Sequence, residues 1–236
     1  MLFSIVLLVL TAGVGYAQWR RSNVSTHVQG LGASAPSIGS MFDYRPTLLI
    51  VGDSFAGGTG DVTFRPYPYL LGDRLGWNLT VDAQGGTGFI NAGDVKKRGT
   101  PFAVRLDRDE HLYNADYVLI DGGRNDLDLV PVEVITAADE YIKRVRAAWR
   151  QAIIIVILPS FVSAEEASNY PTISAGMRRS AEEVAAHVID PVAEGWYRER
   201  DLAPLFWHDG IHLNAVGNEY YASRIFDDMR LMGLVK

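Results

Sequence analysis

Cysteine is absent from this chain of 236 residues, and its absence excludes several kinds of site at once. Without thiols the protein has no disulfide, no CxxC metal site and no cysteine nucleophile. Positive charge is also scarce, since 22 Lys and Arg residues stand against 28 Asp and Glu residues and the formal net charge is −6. An acidic chain of this kind repels phosphate backbones, so we expect no nucleic-acid partner.

Three common glycine motifs are missing as well. Residues 84–88 form a glycine-rich segment, but it follows neither the GxGxxG order of dinucleotide-binding folds nor the GxxxxGK[ST] order of phosphate-binding loops. Residues 52–56 break the GxSxG pattern of the α/β-hydrolase nucleophile elbow. Nucleotide binding is therefore weakly supported, and we expect no cofactor.

The N-terminal part differs in composition from the rest of the chain. Residues 2–17 are apolar and uncharged, and Trp19 and Arg20-Arg21 follow them. Two interpretations compete: a membrane anchor of residues 1–17, or a signal peptide that is cleaved after Ala17. Either predicts a protein that is tethered to a membrane or secreted. Residues 18–44 are rich in Ser, Gly and Ala and predict a flexible linker, so the folded domain should span 45–236.

Within that domain, short apolar runs alternate with amphipathic segments. Strands are predicted at 47–51, 79–83, 115–120, 153–158 and 187–190, and helices at 66–75, 131–150, 173–186 and 215–232. Nearly continuous apolar strands separated by helices predict an α/β fold with a parallel sheet covered on both faces. Ligands of such sheets bind beyond the carboxyl ends of the strands, so polar residues that follow strands are the candidates for chemistry.

Ser54 follows the first predicted strand directly. A serine hydroxyl is a weak nucleophile until a base removes its proton. At a strand-to-helix turn, backbone N–H groups also point toward an oxygen that becomes negative. The alternative interpretation of Ser54 is a helix N-cap, a position that serine and aspartate both favour.

A candidate base lies near the C-terminus, where Asp209 and His212 are three residues apart with Gly210 between them to allow a tight turn. On such a turn Asp209 can accept a hydrogen bond from one nitrogen of His212, which leaves the other nitrogen to face the serine. A metal site is the alternative, since His208, Asp209 and His212 offer three ligands. Gly210 disfavours the helix that would place both histidines on one face, so we expect no metal.

Two further segments offer hydrogen-bond donors. In residues 122–126 two glycines precede Arg124, and Asn125 carries an amide that suits an oxyanion hole. Its alternative role, or that of Asp126, is to cap the helix that follows. In the second segment, residues 84–88, the glycines suit a backbone N–H donor.

Four blocks, Gly52-Asp53-Ser54, Gly85-Gly86, Gly123-Arg124-Asn125-Asp126 and Asp209-Gly210-Ile211-His212, together resemble those of SGNH (GDSL-type) hydrolases and occur in the order typical of that family. The resemblance spans about residues 48–217. It implies a three-layer α/β/α sandwich with a central parallel sheet, the flavodoxin-like SGNH hydrolase fold.

The resemblance also implies roles for five residues. Ser54 would attack the acyl carbon, with His212 as its base and Asp209 as the partner of His212. The backbone N–H groups of Ser54 and Gly86 and the side chain of Asn125 would form the oxyanion hole.

We therefore expect a serine ester hydrolase that cleaves acyl esters of a small molecule or glycan through an acyl-enzyme, with short acyl groups such as acetyl preferred. One alternative is an O-acyltransferase of the same family acting on a glycan, and another is a non-catalytic flavodoxin-like binding module. Four aromatic residues near the predicted site would hold an acyl chain, stack on a sugar, or simply pack: Phe55, Phe64, Tyr67 and Trp207.

Overall fold

A five-stranded parallel sheet forms the centre of the molecule. The computed structural model describes residues 44–60, 63–94, 99–160, 168–198 and 203–236, and Arg45–Lys236 forms one compact unit. The strands are β1 (Thr47–Gly52), β2 (Asn78–Ala83), β3 (Tyr117–Asp121), β4 (Ile153–Ile157) and β5 (His187–Ile189). Their spatial order is β2-β1-β3-β4-β5, and every neighbouring pair is parallel.

Helices cover both faces of this sheet. The described α-helices are α1 (Ser54–Gly57), α2 (Tyr67–Leu75), α3 (Phe102–Leu112), α4 (Pro131–Ala148), α5 (Tyr170–Glu183) and α6 (Ala215–Leu231). Buried residues of α3, α4 and α5 share one hydrophobic cluster, and those of α1, α2 and α6 share the other. The predicted three-layer α/β/α sandwich is therefore confirmed.

The strands contribute side chains to both clusters, which explains why they are apolar without interruption. In β1, Leu49 and Val51 pack against the α3–α5 side, whereas Leu48 and Ile50 pack against the α1, α2 and α6 side. All four are almost completely buried. Successive strand residues face opposite sides of a sheet, so a strand covered on both faces must be apolar at every position.

The strand order reverses direction at β1, and ligands of doubly wound sheets bind at such a switch point. Gly52 at the end of β1 is in register with Ala83 at the end of β2 and with Asp121 at the end of β3. The segments that follow these three strands therefore begin at one edge of the sheet. They are the segments that contain Ser54, Gly86 and Asn125.

Helix α3 is the element that the sequence pattern did not indicate. Its buried positions are Phe102, Arg105, Leu106 and Asp109, which have the spacing of one helical face. Because two of these four buried residues are charged, the sequence shows no apolar helical face and therefore does not predict the helix. In the structure Arg105 pairs with Asp82 and Asp109 with Arg108, and a hydropathy pattern does not reveal such pairs.

The sequence predicted a protein that is tethered to a membrane or secreted through residues 2–17. This prediction is wrong, because no helix of the described residues is long and apolar enough to cross a membrane. Residues 2–17 themselves lie outside the described residues, as does the predicted linker 18–44 except for Tyr44. Length is the physical reason: the apolar run of the sequence has sixteen residues, whereas a transmembrane helix needs about 20.

Candidate active site

Ser54 is the first residue of α1, directly beyond β1. The N-cap of this helix is Asp53, whose Oδ1 accepts a hydrogen bond of 2.9 Å from the N–H of Phe55. The capping role that was an alternative for Ser54 is thus filled by its neighbour. Gly52 at the end of β1 allows α1 to lie close to the strand, because a Cβ on this residue would lie 2.6 Å from the Cβ of Ala56.

Asp209 and His212 form a hydrogen-bonded pair on a turn. The Oδ2 of Asp209 lies 2.7 Å from Nδ1 of His212, and its Oδ1 accepts the N–H groups of Ile211 and His212 at 2.9 Å each. Gly210 adopts a positive φ of 71°, as expected for a glycine that closes such a turn. The arrangement fixes the imidazole with Nε2 directed away from Asp209.

Asp209 carries a negative charge throughout the neutral pH range. Burial raises the pKa of this carboxyl, but the hydrogen bonds from the His212 side chain, from the backbone N–H of His212 and from that of Ile211 outweigh burial and lower the pKa to about 2. A carboxylate in this position stabilises an imidazolium when His212 takes up a proton.

A cleft of about 670 Å³ opens between these two segments. Its described lining residues are Ser54, Thr59, Gln84, Gly85, Gly86, Asp94, Gly99, Arg124, Asn125, Ile211 and His212. Of the five predicted site residues, four therefore share one cleft, and the fifth, Asp209, is bonded to His212. Among the described residues no hydrogen bond joins the hydroxyl of Ser54 to His212; such bonds are often long before substrate binds.

The three predicted oxyanion donors differ in whether their N–H groups already have an acceptor in the protein. Gly86 adopts a positive φ of 75°. Within the described part of the chain, the N–H groups of Ser54 and Gly86 donate to no other protein group. The Nδ2 of Asn125, by contrast, donates to the carbonyl oxygen of Thr87 at 2.9 Å and to Oδ2 of Asp53 at 3.1 Å. Both of its amide hydrogens thus have protein acceptors.

Asp126 connects its own block to the segment that follows the glycine-rich residues 84–88. Its carboxylate accepts the N–H groups of Phe89 and Asn91 at 2.8 Å each and of Ile90 at 3.3 Å. A Cβ on Gly88 would lie 2.1 Å from Oδ2 of Asp126, so only glycine allows this approach. The N-cap of α4 is Val130 and has no side-chain cap, which removes the capping alternative for Asn125 and Asp126.

Arg124 forms the positive centre of the site, a role that the sequence pattern did not assign. Its Nη2 lies 3.2 Å from both carboxylate oxygens of Asp53, and its Nη1 donates to Oγ of Ser160 at 2.7 Å. Its guanidinium lies over the ring of Phe55, 3.5 Å from the centroid. Burial lowers the pKa of Arg124, but the carboxylates of Asp53 and Asp121 raise it above its ordinary value, so the side chain stays charged.

Asp121, the last residue of β3, lies beneath this arginine. It accepts hydrogen bonds from the hydroxyls of Tyr67 at 2.8 Å and Tyr221 at 3.2 Å. Burial, opposed by the charge of Arg124 and assisted by that of Asp53, raises the pKa of Asp121 to about 6. The polar groups under the cleft therefore form one connected buried network.

The four aromatic residues near the predicted site pack against other protein groups, which was one of their three possible roles. Phe55 is 4% exposed and lies under Arg124, and Tyr67 is fully buried with its hydroxyl on Asp121. Phe64 and Trp207 contact each other edge to face with centroids 5.0 Å apart. None of the four is among the described lining residues of the cleft.

The possible metal ligands His208, Asp209 and His212 have other contacts. Among the described residues no group of three or more His, Cys, Asp or Glu side chains could hold a metal ion. His208 contacts the ring of Trp207, with centroids 4.5 Å apart, and is exposed. Asp209 bonds to His212 instead.

Comparison with known protein families identifies the family of this chain. The family model described as GDSL-like Lipase/Acylhydrolase matches residues 50–220, nearly the span over which the four blocks occur. The chain belongs to this GDSL-like family. A curated relative, GDSL lipase Rv0518 of Mycobacterium tuberculosis, is 27% identical over 229 residues, which cover 86% of this chain and 95% of the relative.

Solved structures give the same fold. The crystal structure of TesA matches with a TM-score of 0.62 at 18% identity, covering 78% of this chain and 97% of that one. The psychrotrophic esterase EstA from Pseudoalteromonas sp. matches with a TM-score of 0.61 at 17% identity, covering 80% of this chain and 98% of that one. The chain is thus an α/β protein of the GDSL-like lipase/acylhydrolase family, as the four blocks predicted.

Proposed function

We propose that this protein is a carboxylic ester hydrolase that acts through an acyl-enzyme on Ser54. The observation that carries the proposal is the 2.7 Å bond between Asp209 and His212, because it leaves Nε2 of His212 free at a cleft that Ser54 also lines. A histidine held in this way is the base that a serine nucleophile requires.

In the proposed reaction, Nε2 of His212 removes the hydroxyl proton of Ser54 while Oγ attacks the acyl carbon. The tetrahedral intermediate expels the alcohol, which takes its proton from His212. Water, activated by the same imidazole, then adds to the acyl-enzyme, releases the carboxylic acid and restores the Ser54 hydroxyl.

The oxyanion formed in these steps would accept the N–H groups of Ser54 and Gly86 and an amide hydrogen of Asn125. Because both hydrogens of Asn125 already have protein acceptors, we propose that it shares one of them in a three-centre bond. Arg124 supports this arrangement, since it offsets the negative charge of Asp53 directly behind Asn125.

A short acyl group on a polar alcohol fits the cleft best. Its described lining consists mainly of polar side chains and glycine backbone, and Ile211, which is 54% exposed, is the aliphatic exception. A long acyl chain needs apolar walls, because its binding gains about 25 cal/mol for each Å² removed from water. Among the described lining residues, Ile211 offers the single hydrophobic side chain for such contacts.

The test is hydrolysis of p-nitrophenyl esters of increasing chain length, from acetate to palmitate. We expect acetate or butyrate to give the highest kcat/KM and Ser54→Ala to lose at least about 10³-fold in kcat without a change in melting temperature. A serine-directed phosphonate should label Ser54 alone. Ser223→Ala, a change on α6 outside the cleft, is the matched control. Folded Ser54→Ala protein with nearly full activity would overturn the mechanism.

A glycan acceptor added to the same assay separates hydrolysis from acyl transfer. Hydrolysis releases one free carboxylic acid for each alcohol, whatever acceptor is present. An acylated glycan formed at the expense of the free acid would identify the enzyme as an acyltransferase with the same nucleophile.

A further inference from the structure

Gln84 lies between β2 and the glycine pair of the site, and its carboxamide is held in one orientation. The Oε1 atom accepts the N–H of Thr100 at 2.8 Å and lies 3.2 Å from the Thr100 hydroxyl. A backbone N–H can only donate, so the group that faces Thr100 must be the oxygen of the carboxamide. The NH₂ end of Gln84 is thereby fixed on the other side.

This NH₂ group has no acceptor among the described residues, although Gln84 lines the cleft together with Ser54. It is also not among the buried polar atoms that lack a partner. Nε2 is therefore accessible to solvent, on a side chain that lines the cleft. A side chain that is locked at one end and carries unused donors at the other is suited to bind an acceptor on a ligand.

Gly85 keeps the space beside this amide open. A Cβ on Gly85 would lie 3.7 Å from the Cβ of Ser54 and 3.6 Å from the hydroxyl oxygen of Thr59. The φ of Gly85 is not in the positive region, so its backbone does not require glycine. The missing side chain instead leaves room between the nucleophile and Thr59, and this room adjoins Gln84 along the chain.

We propose that Gln84 determines substrate specificity by donating a hydrogen bond to an oxygen in the alcohol part of the ester, which we infer to be an alcohol with at least one oxygen besides that of the ester, as in a sugar. The inference rests on the proposed function. A short acyl group has a single acceptor, the carbonyl oxygen, and the oxyanion donors bind that atom. The acceptor for Gln84 must therefore belong to the alcohol.

Gln84→Glu tests the proposal, because a carboxylate still accepts both bonds from Thr100 but has no N–H to donate. The readout is the ratio of kcat/KM for a mono-acetylated glucose to kcat/KM for p-nitrophenyl acetate, whose alcohol has no hydroxyl groups beyond the ester oxygen. Any general effect of the new charge on His212 acts on both substrates and cancels in this ratio. We expect the ratio to fall about tenfold, the loss typical of one hydrogen bond.

Gln151→Glu, the same change at an exposed position outside the cleft, should leave the ratio at its wild-type value. Gln84→Met, which has no donor and only a weak acceptor, serves as a second variant if Gln84→Glu does not fold, and it should lower the ratio similarly. An unchanged ratio in a folded Gln84 variant would overturn the proposal, as would a wild-type enzyme that cleaves p-nitrophenyl acetate but no acetylated sugar. A wild-type enzyme that cleaves neither ester would instead overturn the proposed function itself.

Discussion

Nη2 of Arg105 donates a hydrogen bond of 3.1 Å to the carbonyl oxygen of Gly52, two residues before Ser54. The same guanidinium donates to Oγ1 of Thr87 at 3.2 Å, and its Nε lies 2.6 Å from Oδ2 of Asp82. Arg105 is 2% exposed, so these bonds are formed away from water. One buried cation thus joins the ends of β1 and β2 to α3.

Arg105→Met should lower the free energy of unfolding by about 3 kcal/mol, because it leaves the buried Asp82 with the partly exposed Arg108 alone. Urea denaturation at pH 7 measures the change. The matched control is Lys143→Met on the surface of α4, which breaks ion pairs with Asp139 and Glu183 and should leave stability within the error of the measurement. Equal losses of stability in the two variants would contradict the conclusion that Arg105 joins β1 and β2 to α3.

Asn125→Ala should lower kcat by about 10²–10³-fold, the cost of removing one oxyanion donor. KM should change little, because the lost interaction strengthens only as the oxyanion forms. Since Asn125 also bonds to Thr87 and Asp53, a stability loss of about 1–2 kcal/mol should accompany the loss of turnover. A variant that is destabilised but turns over normally would show that Asn125 is structural only.

Asp126→Ala should reduce stability more, and turnover less, than Asn125→Ala does. It leaves the buried N–H group of Phe89 and the partly buried one of Asn91 without their acceptor, so we expect a stability loss of about 3 kcal/mol. Turnover per folded molecule should fall less than in Asn125→Ala, because Asp126 does not line the cleft. Thermal unfolding measures the stability. The hydrolysis rate, divided by the concentration of active sites from phosphonate titration, gives the turnover per folded molecule.

His212→Ala should reduce kcat by at least about 10²-fold, whereas the exposed His208→Ala should retain nearly all activity. Asp209→Asn should cost up to about 10⁴-fold, since an amide favours the wrong imidazole tautomer. The pKa of Asp209 is about 2, so this carboxylate should contribute no titration step to the activity profile above pH 5. A loss of activity in EDTA that zinc restores would instead point to a metal site at His208 and His212.

The carboxyl of Asp228 on α6 predicts a stability that depends on pH. Burial, together with the neighbouring carboxylate of Glu194, raises the pKa of Asp228 to about 7, whereas an unfolded aspartate titrates near 3.9. The folded state therefore binds this proton more tightly. The stabilisation is full below pH 4, is lost as pH rises from about 4 to 7, and changes no further above that.

Asp228→Asn should remove this pH dependence and raise stability at pH 8, on the order of 2 kcal/mol, because a neutral amide needs no proton in the folded state. Denaturant unfolding at pH 5 and pH 8 provides the comparison with wild type. Esterase activity should be unaffected, since Asp228 lies outside the cleft. An Asp228→Asn variant with the wild-type pH slope would show that other groups govern it.

The sequence alone predicted the sheet, the layers and four of the residues that line the cleft, because each of these depends on a local pattern. A strand buried on both faces is apolar at every position, and Asp209 lies three residues from His212 on a single turn. The pairing of Arg105 with Asp82 and that of Arg124 with Asp53 link residues far apart in the chain, and no pattern in one sequence identifies such partners. Helix α3 escaped prediction for the same reason.

The turn that holds Asp209 and His212 keeps its geometry through bonds within four residues. Ser54, Gly86 and Asn125 instead depend on three separate strands for their relative positions. A modest loosening of the sheet by heat or urea would therefore separate the nucleophile from an acid–base pair that is itself still intact. Catalysis should then disappear at a lower temperature than secondary structure, and cooling should restore it without refolding of the chain.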